Sequence, residues 1–148
     1  MLALMTDPLT AEPTGVHVTY LAPGGRGKAG GGRPKVMLGR AGVVRLVEDA
    51  EVTTGLGLSE GVENALAVMQ HSGWSPVWAA GSAGGIASFP VLPGIEALTI
   101  FADADDGGTS VEAARRCALR WRRAGRRVWL VLPRPGEDFN DMLRRAVP

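Results

Sequence analysis

The chain has 148 residues, 45% of them hydrophobic, and carries a net charge of +1 at pH 7. That length buries a core without staples and suggests one domain with at most an appendage. The single cysteine, Cys117, excludes a disulfide framework and a cysteine-based zinc site. No apolar run approaches the roughly 18–20 residues of a membrane span, and the N-terminus lacks the basic and apolar regions of a signal peptide, so no membrane contact and a cytoplasmic location are expected.

The near-zero net charge hides a segregation. Residues 1–45 carry six basic and two acidic side chains (+4), residues 46–114 carry ten acidic and no Lys or Arg (−10), and residues 115–148 carry ten basic and three acidic (+7). An acidic centre between basic ends fits a cation site beside a surface for a polyanion, or else solvated faces that merely differ.

In chain order, residues 1–52 read as a small β-rich lead-in. VHVTYLAPGGRGKA alternates up to Leu21 and turns at Pro23-Gly24-Gly25, and KVMLGRAGVVRLVEDAEV holds two further strand-like runs. GGRGKAGGGRPK fits a phosphate-contacting loop or a flexible one. It is not a P-loop, because Gly27-Lys28 is followed by Ala29 and position 22 is Ala.

From residue 53 strands and helices alternate. GLGLS is a short buried strand ending at Glu60, and VENALAVMQHSG is a helix with Val62, Ala65, Leu66 and Met69 on one face and Gly73 as its stop. PVWAA is a strand, GSAGGIASFPVLPG a loop with one helical turn at most, and ALTIFAD a strand. TSVEAARRCALRWRRAG is a helix whose apolar stripe is Val111, Ala114, Ala118 and Trp121, with Thr109 or Ser110 as its cap. RVWLVLP is a strand and DFNDMLRRA a terminal helix. The pattern predicts an α/β fold over residues 53–148: a mainly parallel four-stranded sheet flanked by helices, with ligands at the carboxyl ends of its strands.

Glu60 ends one predicted strand, and Asp103 and Asp105 end another, at the same sheet edge. Strand geometry sets the two aspartates on one side, about 6–7 Å apart at Cα, which suits oxygen ligands converging on a hard cation. Mg²⁺ prefers such oxygens, taking one or two carboxylates plus water or phosphate. An EF-hand starting at Asp103 fails, because its fifth and twelfth positions are Gly107 and Ala114. The downstream lysine of a haloacid-dehalogenase-type phosphatase is absent, since the last lysine is Lys35. GLGLSEG lacks the dinucleotide-binding spacing.

Other residues carry plainer expectations. Asp106 reads as an exposed turn residue or an outer-sphere contact, and Glu63 as a carboxylate favoured in a helix's first turn or as a functional one. Asp138 and Asp141 read equally as helix caps or distal acidic contacts. Trp121 and Trp129 read as core residues. The arginines from Arg115 to Arg127 read as a solvated helix face or as phosphate contacts; Arg115, Arg116, Arg122 and Arg123 are the candidate nucleic-acid-binding residues.

LSEGVENAL followed about forty residues later by FADADDGG resembles a Toprim domain, the module shared by topoisomerases, primases and related nucleases. The family's Glu-Gly step is matched by Glu60-Gly61, and its Asp-x-Asp-x-x-Gly by Asp103, Asp105 and Gly108, over roughly residues 53–148. PGEDFNDML and the lead-in further resemble the primase-like Toprim proteins of plasmids, phages and mobile elements. Position 64 is Asn where many members have Asp.

The resemblance implies Asp103 and Asp105 as ligands of Mg²⁺, with Mn²⁺ as a substitute, and Glu60 as general acid or base or as a further ligand. It implies phosphoryl or nucleotidyl transfer on nucleic acid by the catalytic module of a primase-type protein. The implied partners are single-stranded DNA and nucleotides, with separate zinc-binding or helicase chains, because one cysteine cannot build a primase's zinc module. A Toprim nuclease, and a non-catalytic nucleic-acid-binding or partner module from a truncated or split primase, are the alternatives.

Overall fold

The structure, a computed structural model, describes residues 1–148 apart from 26, 31, 105–106, 135–137 and 147–148; for 143–146 it describes the backbone alone. Two sheets organise the chain. The first is antiparallel, in the order β1 (Leu2–Thr6), β2 (Pro13–Thr19), β3 (Lys35–Gly39). The second has five strands: β4 (Val44–Arg45), β6 (Val77–Ala79), β5 (Gly55–Ser59), β7 (Ala97–Phe101) and β8 (Arg127–Val131), in that spatial order. The last four are mutually parallel, as the alternating pattern predicts. The fifth, β4, pairs antiparallel with β6 and comes from the lead-in. It lies in the second strand-like run of KVMLGRAGVVRLVEDAEV, shortened to two residues and joined to the larger sheet. β1 alone has no counterpart in the sequence reading; its Leu2 and Leu4 are exposed, so the usual one-faced pattern is blurred.

Helices cover both faces of the larger sheet. Leu56, Leu58, Leu98, Ile100 and Val128 point to the face shared with α2 (Ala83–Ser88) and α3 (Thr109–Arg123), where Ile86, Ala114, Cys117 and Trp121 complete the core. Val77, Ala79 and Phe101 point the other way, against α1 (Val62–Ser72), α4 (Phe139–Ala146) and Met5 of β1. The two sets come from alternate positions of the same strands, which is the period of two at work.

Two glycines mark close approaches. A Cβ on Gly57 would lie 2.5 Å from the Trp74 ring, which packs edge-on to Phe101 with centroids 5.4 Å apart. A Cβ on Gly85 would collide with the Ala80 carbonyl oxygen. α2 is longer than the single turn expected; Ser82 caps it, accepting from the Gly85 amide at 3.1 Å.

The tryptophans divide. Trp121 is fully buried and stacks on Phe89 at 6.0 Å, as expected of a core residue. Trp129 is 49% exposed, against the expectation that it packs. β8 is an edge strand, and Trp129 projects from the face opposite α3, with Arg127 over its ring at 5.8 Å.

Candidate active site

The carboxyl ends of β5 and β7 are adjacent, because Ser59 pairs with Phe101. The chain leaves β5 into Glu60 and Gly61 and leaves β7 into Asp103, so Glu60 and Asp103 reach one cleft of about 350 Å³. Asp105 and Asp106 lie outside the described residues. Among the described residues no group of three or more His, Cys, Asp or Glu side chains converges on a metal position. Glu60 and Asp103 nevertheless present hard carboxylate oxygens at one sheet edge, a donor set that fits Mg²⁺.

Asp103 is held from two sides. Asn64 Nδ2 donates to its Oδ1 at 2.7 Å, and its backbone N–H donates to Ser110 Oγ at 3.1 Å. Asn64 is buried on the first turn of α1, and Ser110 is fully buried on the first turn of α3. Two helix starts therefore fix the strand end. Ser110 serves the aspartate rather than capping its helix, whose cap position is Gly108 in a left-handed conformation, φ 98°. Asn64 matters chemically: an amide donates to a carboxylate, where an ionised Asp would repel it.

The opposite wall of the cleft is basic, and the lead-in supplies it. His17 on β2, Lys28 in the following loop and Lys35 at the start of β3 all line the cavity. Lys35 Nζ donates to Glu63 Oε2 at 2.9 Å, and Lys28 Nζ stands 3.7 Å from Oε1. Burial pushes Glu63 up, but the Lys35 hydrogen bond, its own backbone N–H and the charges of both lysines prevail, holding it below the usual carboxylate range. His17 is 4% exposed, and its Nδ1 has no hydrogen-bond partner among the described residues. Burial, with Lys35 nearby, lowers its pKa against a smaller pull from Glu63.

Asp138 also lines the cleft and caps α4: Asp141 N–H donates to its Oδ1 at 2.8 Å, and its own N–H donates to Asp141 Oδ2 at 3.3 Å. Capping and proximity to the site thus coincide in this residue. Gly81, after β6, reaches the cleft too. Arg115, Arg116, Arg122 and Arg123 are exposed on α3 and do not line it.

Of the cleft's residues, His17, Lys28, Lys35 and Asn140 were not named as site residues in the sequence reading. GGRGKAGGGRPK gave the only hint, as a phosphate-contacting loop; nothing in a linear sequence shows that β3 folds back beside α1.

Comparison with known proteins is sparse. Neither the curated proteins nor the solved structures gave a match. The family model described as Toprim domain matches residues 55–148, from the first residue of β5 to the end of the chain. That span holds Glu60, Asp103 and all four parallel strands, and membership points to metal-dependent processing of nucleic acid. The chain belongs to the Toprim family.

Proposed function

We propose that this chain is the Mg²⁺-dependent phosphoryl-transfer module of a primase-type protein, joining nucleotides on single-stranded DNA. The observation that carries the reading is the two-walled cleft, with Glu60 and Asp103 on one side and Lys28, Lys35 and His17 on the other. Nucleotidyl transfer needs this pairing of carboxylates for a cation with cations for phosphates.

Asp103 and Asp105 would hold Mg²⁺, with Mn²⁺ as a substitute. The ion, when bound, neutralises charge on the reacting phosphate and orients its oxygens. Glu60 exchanges the proton of the attacking or leaving hydroxyl, or adds a ligand oxygen. Asn64 keeps the Asp103 carboxylate aimed. The arginines on α3 lie outside this cleft and supply a further phosphate-contacting surface for the strand. Zinc-binding and helicase functions would come from other chains.

The test is calorimetric titration of Mg²⁺ and Mn²⁺ into the wild type and Asp103→Asn/Asp105→Asn. Binding lost in the double variant supports the reading, and nucleotide-incorporation and cleavage assays follow with Glu60→Gln as control. Cleavage without incorporation would replace primase with nuclease. No metal binding by the wild type, even with single-stranded DNA present, would reduce the chain to a partner-dependent module.

A further inference from the structure

Glu63 sits at the start of α1, where the cap residue Gly61 gives no side-chain hydrogen bond and a helix's first backbone amides have no partner within the helix. Its carboxylate accepts from its own N–H and from Lys35, and lies within ion-pair distance of Lys28. Helix-start amides plus two ammonium groups are what an anion seeks. The place adjoins the catalytic edge: a Cβ on Gly61, next to Glu60, would lie 3.5 Å from Glu63 Oε2 and 3.8 Å from Lys35 Nζ. Buried His17, with Nδ1 unpartnered, lines the same cleft.

We infer that Glu63 is a built-in competitor: its carboxylate occupies a polyphosphate subsite formed by Lys28, Lys35, His17 and the first turn of α1, and the phosphates of an incoming nucleotide bind by displacing it. This rests on the function proposed above, whose site it shares. The exchange is cheap on the protein side. The lysine side chains are 46% and 37% exposed, and ion pairs so placed add little. A polyphosphate brings several negative charges and many acceptor oxygens against one carboxylate, and charge-assisted hydrogen bonds are the strong kind. Glu63 meanwhile keeps two lysines from repelling each other while no ligand is bound. It also raises the threshold for singly charged anions, which gain nothing by replacing it.

The probe is inorganic tripolyphosphate, titrated by calorimetry into the full chain with EDTA present and no nucleic acid. Glu63→Gln should tighten binding up to about fivefold, the scale of one exposed ion pair. Lys28→Gln/Lys35→Gln should abolish it. Circular dichroism checks that each variant folds; if Glu63→Gln does not, Glu63→Asp, with its carboxylate drawn back from the lysines, gives the same sign. Unchanged or weaker binding by the Glu63 variants overturns the inference, and so does the absence of binding by every protein. Because no metal is present, a failed metal titration would sink the proposed function and leave this result standing.

Discussion

His17 and Cys117 are the two side chains whose surroundings dictate a solution behaviour most directly. Burial and the Lys35 charge hold the folded imidazole below its ordinary value of 6.5. As pH falls through 6.5 the unfolded chain takes up a proton that the folded chain refuses, so the stability tied to a neutral His17 is complete above that pH and lost below it. His17→Gln should flatten the fall in Tm on the acid side of 6.5, followed by thermal melts across pH. Burial pushes the Cys117 thiol up to about 12, against a smaller pull from Arg120. It should resist thiol reagents until the chain unfolds, and mass spectrometry after timed labelling in native buffer and in urea checks this. That Glu60 and Asp103 follow adjacent parallel strands was legible from the strand pattern. The partner of Asp103 was not: Asn64 stands 39 positions away, and only the packing of α1 beside β7 brings them together.

At the scale of elements, the strands and helices from residue 55 onward declare themselves, because buried runs of four or five apolar residues alternate with stripes of helical spacing. GLGLS, ALTIF and RVWLV are the strands themselves. α2 resists prediction, since AGGIAS has weak helical preference and forms through the Ser82 cap and the closeness Gly85 allows to Ala80. Ser82→Ala should cost about 1 kcal/mol. Gly57→Ala, which must push Trp74 off the sheet, should cost about 1–3 kcal/mol as an overpacked site. Urea unfolding of both variants measures the differences, and equal midpoints for Gly57→Ala and the wild type would deny the crowding.

Seen whole, the molecule joins two sheets of different character. Thr6 and Val43 form a bridge between them, Met5 packs into the core beside α1, and Arg45 lies over Trp78 while donating to Thr6 Oγ1 and the Asp7 carbonyl. The lead-in also closes one flank of the larger sheet through β4. Arg45→Ala should therefore destabilise the whole chain by removing both the stacking and the hydrogen bonds; loss of a single cooperative transition in calorimetry would show that it uncouples the sheets instead. The charge segregation in the sequence foreshadows this architecture, because the basic first third and the acidic middle become facing walls. Which basic residues meet which acidic ones was hidden, since pairing across sheets leaves no periodic trace.

The two walls of the cleft meet only in the folded chain. Lys35 and Asp103 lie far apart in sequence, and the unfolded chain holds them apart at random. A ligand that spans both walls binds the native state alone, so its affinity adds directly to the free energy of folding. Heat resistance thereby becomes a function of ligand concentration: such a ligand in excess would keep the chain folded at temperatures where the bare chain unfolds.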